Sequence, residues 1–181
     1  MKLAELKETI AIPEGITVNV NKNEVTAKGK YGEIKRSWNE PRITVKIDEG
    51  KVSLLSKNAS KKQKRALMTM RAHIKNMING VMNNNEYKLK MCASHFPMQV
   101  TMEGNAIVVK NFIGEKIPRK IELSKDVQVK VQGDKIIVTG PDIEKVGETA
   151  ARIETICRIT NRDRRVFQDG IYIIEKNGKV I

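Results

Sequence analysis

The chain has 181 residues, 40% hydrophobic, 30% charged and only 4% aromatic, which excludes a disordered polymer and leaves one medium domain or two small ones with a core of Val, Ile, Leu and Met. Lys and Arg number 34 against 21 Asp and Glu, giving net +13; such a surface repels itself unless an anion compensates it, and nucleic acid is the commonest one. A membrane partner is not expected, because no stretch approaches the roughly 18 apolar residues of a spanning helix.

The first residues, Met1 to Glu8, carry acids early and lack the apolar run of a signal peptide. From Ile16 onward the chain alternates, with Val18 and Val20 on one side and Asn19 and Asn21 on the other, which predicts a strand. A polar turn at Asn21-Lys22-Asn23 leads to a return strand, Glu24–Lys28, and Gly29-Lys30-Tyr31-Gly32 turns it into another, Glu33–Trp38. Ile43–Ile47 opens a second hairpin that turns at Asp48-Glu49-Gly50. A helix follows from Ser60 to Met82, with Leu67, Met70, Ile74, Met77, Ile78 and Val81 on one apolar stripe.

The pattern then repeats at an offset of 82 residues. Ile16–Val20 falls on Met98–Met102, Val25 on Ile107, Ala27 on Val109, and Gly32-Glu33 on Gly114-Glu115. With two residues of drift, Ile43–Ile47 falls on Val127–Val131 and Val52 on Ile136. Turns at Glu103-Gly104-Asn105 and Gln132-Gly133-Asp134 match those of the first copy. A second helix opens at Gly140-Pro141-Asp142, where Pro and Asp favour a helix start, and Val146, Ala150, Ile153 and Cys157 share its inner face. The expected fold is α+β: two tandem copies of a small antiparallel-sheet domain, each closed by one α-helix. The boundaries are residues 1–82, 83–160, and a basic tail, 161–181, that belongs to neither copy. In that tail Asn177-Gly178 signals a hairpin after the strand Ile171–Ile174.

Catalysis has no visible basis. There is no phosphate-binding glycine loop, no Ser, His and Asp set announces itself, and His73 and His95 do not make a metal site. Cys92 and Cys157 lack CxxC spacing and read as small, reduced, apolar residues of a cytoplasmic protein. No enzyme, cofactor, metal or small-molecule substrate is expected. The loop Gly29–Gly32 has the GxxG form with which KH domains clamp nucleotides, so a free KH-like RNA-binding regulator is the alternative. That clamp joins helices, though, whereas this loop lies between strands.

The basic clusters carry the signal. Lys61, Lys62, Lys64 and Arg65 open the first helix, where positive charge opposes the macrodipole. Lys110, Lys116, Arg119 and Lys120 flank Phe112–Gly114. Arg158, Arg162, Arg164 and Arg165 form a group of arginines, whose planar fork suits phosphate. With so few aromatics for stacking single strands, folded RNA held through phosphates and shape is the favoured partner.

Arg162, Arg165, Phe167, Asp169-Gly170-Ile171-Tyr172-Ile173 and Lys176 resemble the C-terminal signature of the large-subunit ribosomal protein six family, in its archaeal and eukaryotic branch. Gly140–Gly147, Ser94-His95-Phe96-Pro97 and Asn79-Gly80-Val81 are similar to it as well. Thr155 departs from a pattern that often has Gln there. The resemblance covers essentially the whole chain. It implies a duplicated fold and a structural constituent of the large ribosomal subunit in the cytoplasm. It also implies binding to folded 23S-type rRNA near the sarcin–ricin loop and stalk base, beside the translation-factor site, with neighbouring ribosomal proteins as further partners. The family places the main rRNA contacts in the second copy. Net charge points the other way, with +9 over residues 1–82 and +4 over 83–181; acids of the second helix (Glu144, Glu148, Glu154) are expected to face away from the RNA. Phe167, Ile171 and Tyr172 are expected to anchor the tail.

Overall fold

The computed structural model describes residues 3–21, 24–48 and 50–181. Lys22, Asn23 and Glu49, at two of the predicted turn tips, lie outside the described residues. The chain divides into two compact units, Met1–Asn84 and Asn85–Ile181.

In the first unit, β1 (Leu3–Ala11), β6 (Lys51–Ala59) and β5 (Thr44–Asp48) form one antiparallel sheet in the order β1-β6-β5. β2 (Thr17–Asn21), β3 (Glu24–Gly29) and β4 (Gly32–Ser37) form a second, as a simple meander. Helix α1 (Lys61–Asn83) buries the predicted stripe without exception: Leu67, Met70, Ile74, Met77, Ile78 and Val81 are all in the core. They pack with Val18, Val25, Ala27 and Ile34 of the meander and with Val52 and Leu54 of β6. Each such side chain contributes about 1.5–3 kcal/mol on burial. Ser60 caps α1, and the Gln63 side-chain oxygen accepts its backbone N–H at 3.2 Å, half of a reciprocal cap that compensates for the lack of an acid in the first turn.

The Gly29–Gly32 loop is a two-residue β-hairpin turn with Gly29 paired to Gly32. The Tyr31 N–H donates to the Val81 carbonyl at 3.2 Å, and a Cβ on Gly29 would sit 2.9 Å from that same oxygen. The glycine is there so that the hairpin can close on the end of α1. A KH clamp joining two helices is therefore not formed, and the alternative of a KH-like regulator falls with it.

The second unit repeats the plan. β8 (Gln99–Glu103), β9 (Ala106–Lys110) and β10 (Arg119–Glu122) make the meander, and β7 (Asn85–Cys92), β12 (Lys135–Gly140) and β11 (Gln128–Gln132) make the other sheet. Helix α2 (Ile143–Ile156) is capped by Asp142, whose side chain accepts the Glu144 N–H at 2.9 Å. Thr17 pairs with Lys28 in one unit and Gln99 with Lys110 in the other, so the 82-residue offset holds for strand register as well as for sequence. It also places β1 on β7, two strands that the alternation did not predict.

One addition distinguishes the second unit. β13 (Gly170–Lys176) and β14 (Lys179–Val180) extend its sheet to the order β11-β12-β7-β13-β14. The division between units thus falls between Asn84 and Asn85 rather than at 82/83, and residues 161–181 join the second unit instead of standing apart. Ile171 is fully buried in that core. Across the new strand pair Lys88 binds Glu175 at 3.0 Å, and Asn177 of the Asn-Gly turn accepts the Glu86 N–H at 2.9 Å and donates its own N–H to the Glu86 carbonyl at 2.8 Å.

Candidate nucleic-acid interface

The candidate site is built from three loops of the second unit: residues 93–98 after β7, 111–118 after β9, and 157–169 after α2. Two side chains tie them together. The first is Asp169, 3% exposed. Its Oδ1 accepts the backbone N–H of Ser94 at 2.6 Å and of His95 at 3.0 Å, and its Oδ2 lies 2.6 Å from His95 Nδ1. Burial pushes the carboxyl up, but the hydrogen bonds from His95 and Ser94 outweigh it and hold the group at about 2. An ionised carboxylate only accepts, so His95 Nδ1 carries the proton in this pair. The His95 ring then lies 4.8 Å from the Phe167 ring, and the Arg162 guanidinium lies 4.9 Å from the same ring.

The second tie is Arg119. Its Nε donates to Glu115 at 2.8 Å, one terminal nitrogen donates to the Ile156 carbonyl at 2.5 Å, and its guanidinium covers Phe112 at 4.5 Å. It thus satisfies the C-terminal end of α2, where a cation also complements the helix dipole. The hydrogen bond with Glu115 raises the Arg119 pKa and lowers that of Glu115. Phe112 itself is 1% exposed and sits in a short 3-10 turn between Asn111 and Ile113, both with positive φ (58° and 50°). The Asn111 side chain donates to the Pro97 carbonyl at 3.0 Å, joining this loop to 93–98.

On this frame the predicted cations divide. Arg158, Arg162, Arg164 and Arg165 are all exposed on the 157–169 segment. Arg158, Arg164 and Arg165 line an open hollow of about 500 Å³ together with Phe167 and Tyr172. Arg165 is steadied by Asp163 at 2.7 Å. Lys116 and Lys120 are exposed, while Lys110 pairs with Glu103 at 3.2 Å. Arg119, read from sequence as a surface cation, is turned into the loop and used there. Glu154 does not face away as expected: it lines the same hollow and meets the Ile173 N–H at 3.4 Å. Of the expected anchors, Ile171 is buried, Phe167 half-buried, and Tyr172 exposed with its hydroxyl donating to the Gln168 carbonyl at 3.0 Å. Lys61, Lys62, Lys64 and Arg65 are exposed on α1 of the first unit. Burial pushes the Cys157 thiol up to about 12, so this cysteine packs and does not react.

The residues that sequence reasoning missed are the organisers. Asp169 and His95 are 74 positions apart, and only the neighbouring β7 and β13 bring them together. The signal was present in the Ser94–Pro97 and Asp169–Ile173 segments, but without a role.

A duplicated α+β chain whose exposed cations ride on braced loops presents a surface suited to an anionic partner. Similarity to known proteins makes this specific. A family model described as Ribosomal protein L6 matches residues 12–84 and again residues 96–170. The chain is 45% identical over 178 residues to the large ribosomal subunit protein uL6 of Methanococcus vannielii, spanning 98% of each chain. It is 42% identical over 172 residues to the protein of the same name from Methanosarcina mazei (95% of this chain, 98% of the relative). The match to that from Natronomonas pharaonis is 42% over 170 residues (94% and 96%). The chain belongs to the ribosomal protein L6 family, a structural family without a reaction of its own.

Proposed function

We propose that this protein is a structural constituent of the large ribosomal subunit, in the cytoplasm, that docks on folded 23S-type rRNA near the sarcin–ricin loop and stalk base. There it supports the translation-factor site. The observation that supports this reading is the bracing of the three second-unit loops by Asp169 and Arg119; one of these loops carries the exposed arginines of residues 158–165. Cations on a braced loop displace condensed counterions with less loop freedom to lose on binding. Exposed Arg158, Arg162, Arg164 and Arg165, with Lys116 and Lys120, are the proposed phosphate contacts. Lys110 joins them by exchanging Glu103 for phosphate, and Lys61, Lys62, Lys64 and Arg65 act from the first unit. Arg119 serves the site by positioning it. Large-subunit rRNA and neighbouring ribosomal proteins are the partners.

The test is the salt dependence of rRNA binding in single variants. Arg164→Ala and Arg165→Ala are each expected to flatten the slope of log affinity against log salt by about 0.7–0.9. Unchanged slopes would remove these residues from the contact set.

A further inference from the structure

The hollow of about 500 Å³ beside α2 contains two groups that phosphate binding leaves unused, Tyr172 and Glu154. Its arginines account for an anion. A carboxylate placed among them works against one, so Glu154 calls for a different partner.

Tyr172 is 38% exposed. A Cβ on Gly170 would sit 3.1 Å from Cζ and Oη of the ring, so the glycine lets one side of the ring lie close to β13. The hydroxyl is fixed on the Gln168 carbonyl. The cations that cover rings in this unit lie on Phe112, Phe167 and Tyr87, and among the described residues none covers Tyr172. Glu154 stands in the last turn of α2, half-buried. It meets the Ile173 N–H at 3.4 Å, a long contact. An ionised carboxylate has about four acceptor sites, so most of this one is free. The other acid of the lining, Asp169, has both oxygens engaged by Ser94 and His95. Arg158 and Arg164 are exposed, and Arg165 is the arginine that Asp163 holds.

An uncovered ring, a free carboxylate and exposed guanidinium groups thus border one hollow, whose size is that of a small-ligand pocket. Unstacked RNA bases are read in this way, by stacking and by their Watson–Crick edges. Guanine alone among the RNA bases presents two neighbouring N–H donors, N1 and N2, to a carboxylate. Adenine and cytosine set an amino group beside a bare ring nitrogen, which a carboxylate oxygen repels, and the N–H of uracil lies between carbonyls.

We propose that the hollow takes one unstacked guanosine of rRNA, with its base against Tyr172, its Watson–Crick edge on Glu154 and its phosphate on Arg158 and Arg164. This rests on the reading of the second unit as an rRNA-binding surface, and adds a base to its phosphates.

The test is kethoxal modification, which strikes guanine N1 and N2, on deproteinised large-subunit rRNA with and without the full-length protein. The protein should protect an unpaired guanine. Glu154→Gln keeps an oxygen for the Ile173 N–H, so a merely structural role survives it, but the amide turns a donor toward guanine. That variant should lose the protection and bind about tenfold more weakly, as the loss of a bidentate base contact implies. In a transcript with adenosine at the protected position, the wild-type protein should weaken by about the same factor and Glu154→Gln by less than about threefold. Filter retention of the RNA with no guanine protected would overturn the hollow proposal and spare the rRNA reading. So would protection that persists in Glu154→Gln. Displacement of the RNA by equimolar guanosine monophosphate would assign the hollow to a free nucleotide and overturn its assignment to rRNA. Absence of any retention by the wild-type protein would overturn the rRNA reading and this proposal with it.

Discussion

Phe112→Ala is expected to destabilise the second unit by about 3–5 kcal/mol, the cost of emptying a fully buried aromatic site. Phe112 is 1% exposed and packs in the core formed by the meander and α2. The effect should fall toward the lower end of that range, because the loss of the ring also relieves local strain. Ile113, a β-branched residue, is held at φ 50°, a conformation that costs such residues roughly 1–3 kcal/mol. The buried ring pins the turn that keeps it there, and the ring is also the surface that Arg119 covers. Removing it frees the turn to relax and releases Arg119 from the end of α2. Hydrogen exchange resolved along the chain is the measurement, since the lone tryptophan is in the other unit. Protection should drop across residues 106–123 and at the end of α2. Unchanged protection there would show that Phe112 is not what holds the loop.

Asp169→Ala is expected to cost about 2–4 kcal/mol, because it leaves the partly buried N–H groups of Ser94 and His95 without an acceptor and frees the His95 ring. Asp169→Asn keeps the shape and loses the charge, which separates the electrostatic part. The folded carboxyl is held at about 2, below its ordinary 3.8. Ionised Asp169 therefore contributes its full stabilisation above pH 3.8, and this is lost as the pH falls toward 2, by roughly 2 kcal/mol in all. Acid unfolding of the native protein should show that loss between these limits, and Asp169→Asn should not. Parallel acid curves for the two proteins would contradict the assignment.

The parts of this fold that were legible in sequence are those fixed by short-range pattern. The stripe Leu67 to Val81 repeats at three and four residues, and burial follows it. Both meanders keep the spacing of their turns, so the 82-residue offset survives in the pairing of Thr17 with Lys28 and Gln99 with Lys110. β1 and β7 were not legible. The sequence of β1 mixes charges with apolar residues on a half-buried face, and the start of β7, Asn85-Glu86, looks like the polar break after α1. The site was half legible for a related reason. Clusters of Arg and Lys can be seen without a fold, but which of them is free depends on distant partners. Arg119 is withdrawn from the surface by Glu115 and a carbonyl at residue 156. Asp169 gains its role from residues 74 and 75 positions earlier. Neither relation leaves a local pattern.

The most direct test of the central claim is binding of the full-length protein to a large-subunit rRNA fragment that contains the sarcin–ricin region, against an unrelated duplex of equal length, over a range of salt. A docking surface braced by Asp169 and Arg119 predicts clear preference for the rRNA fragment at physiological salt, with the preference retained as salt rises and overall affinity falls. Equal and steeply salt-sensitive binding to both would mean attraction to phosphate without recognition of shape, and would contradict it.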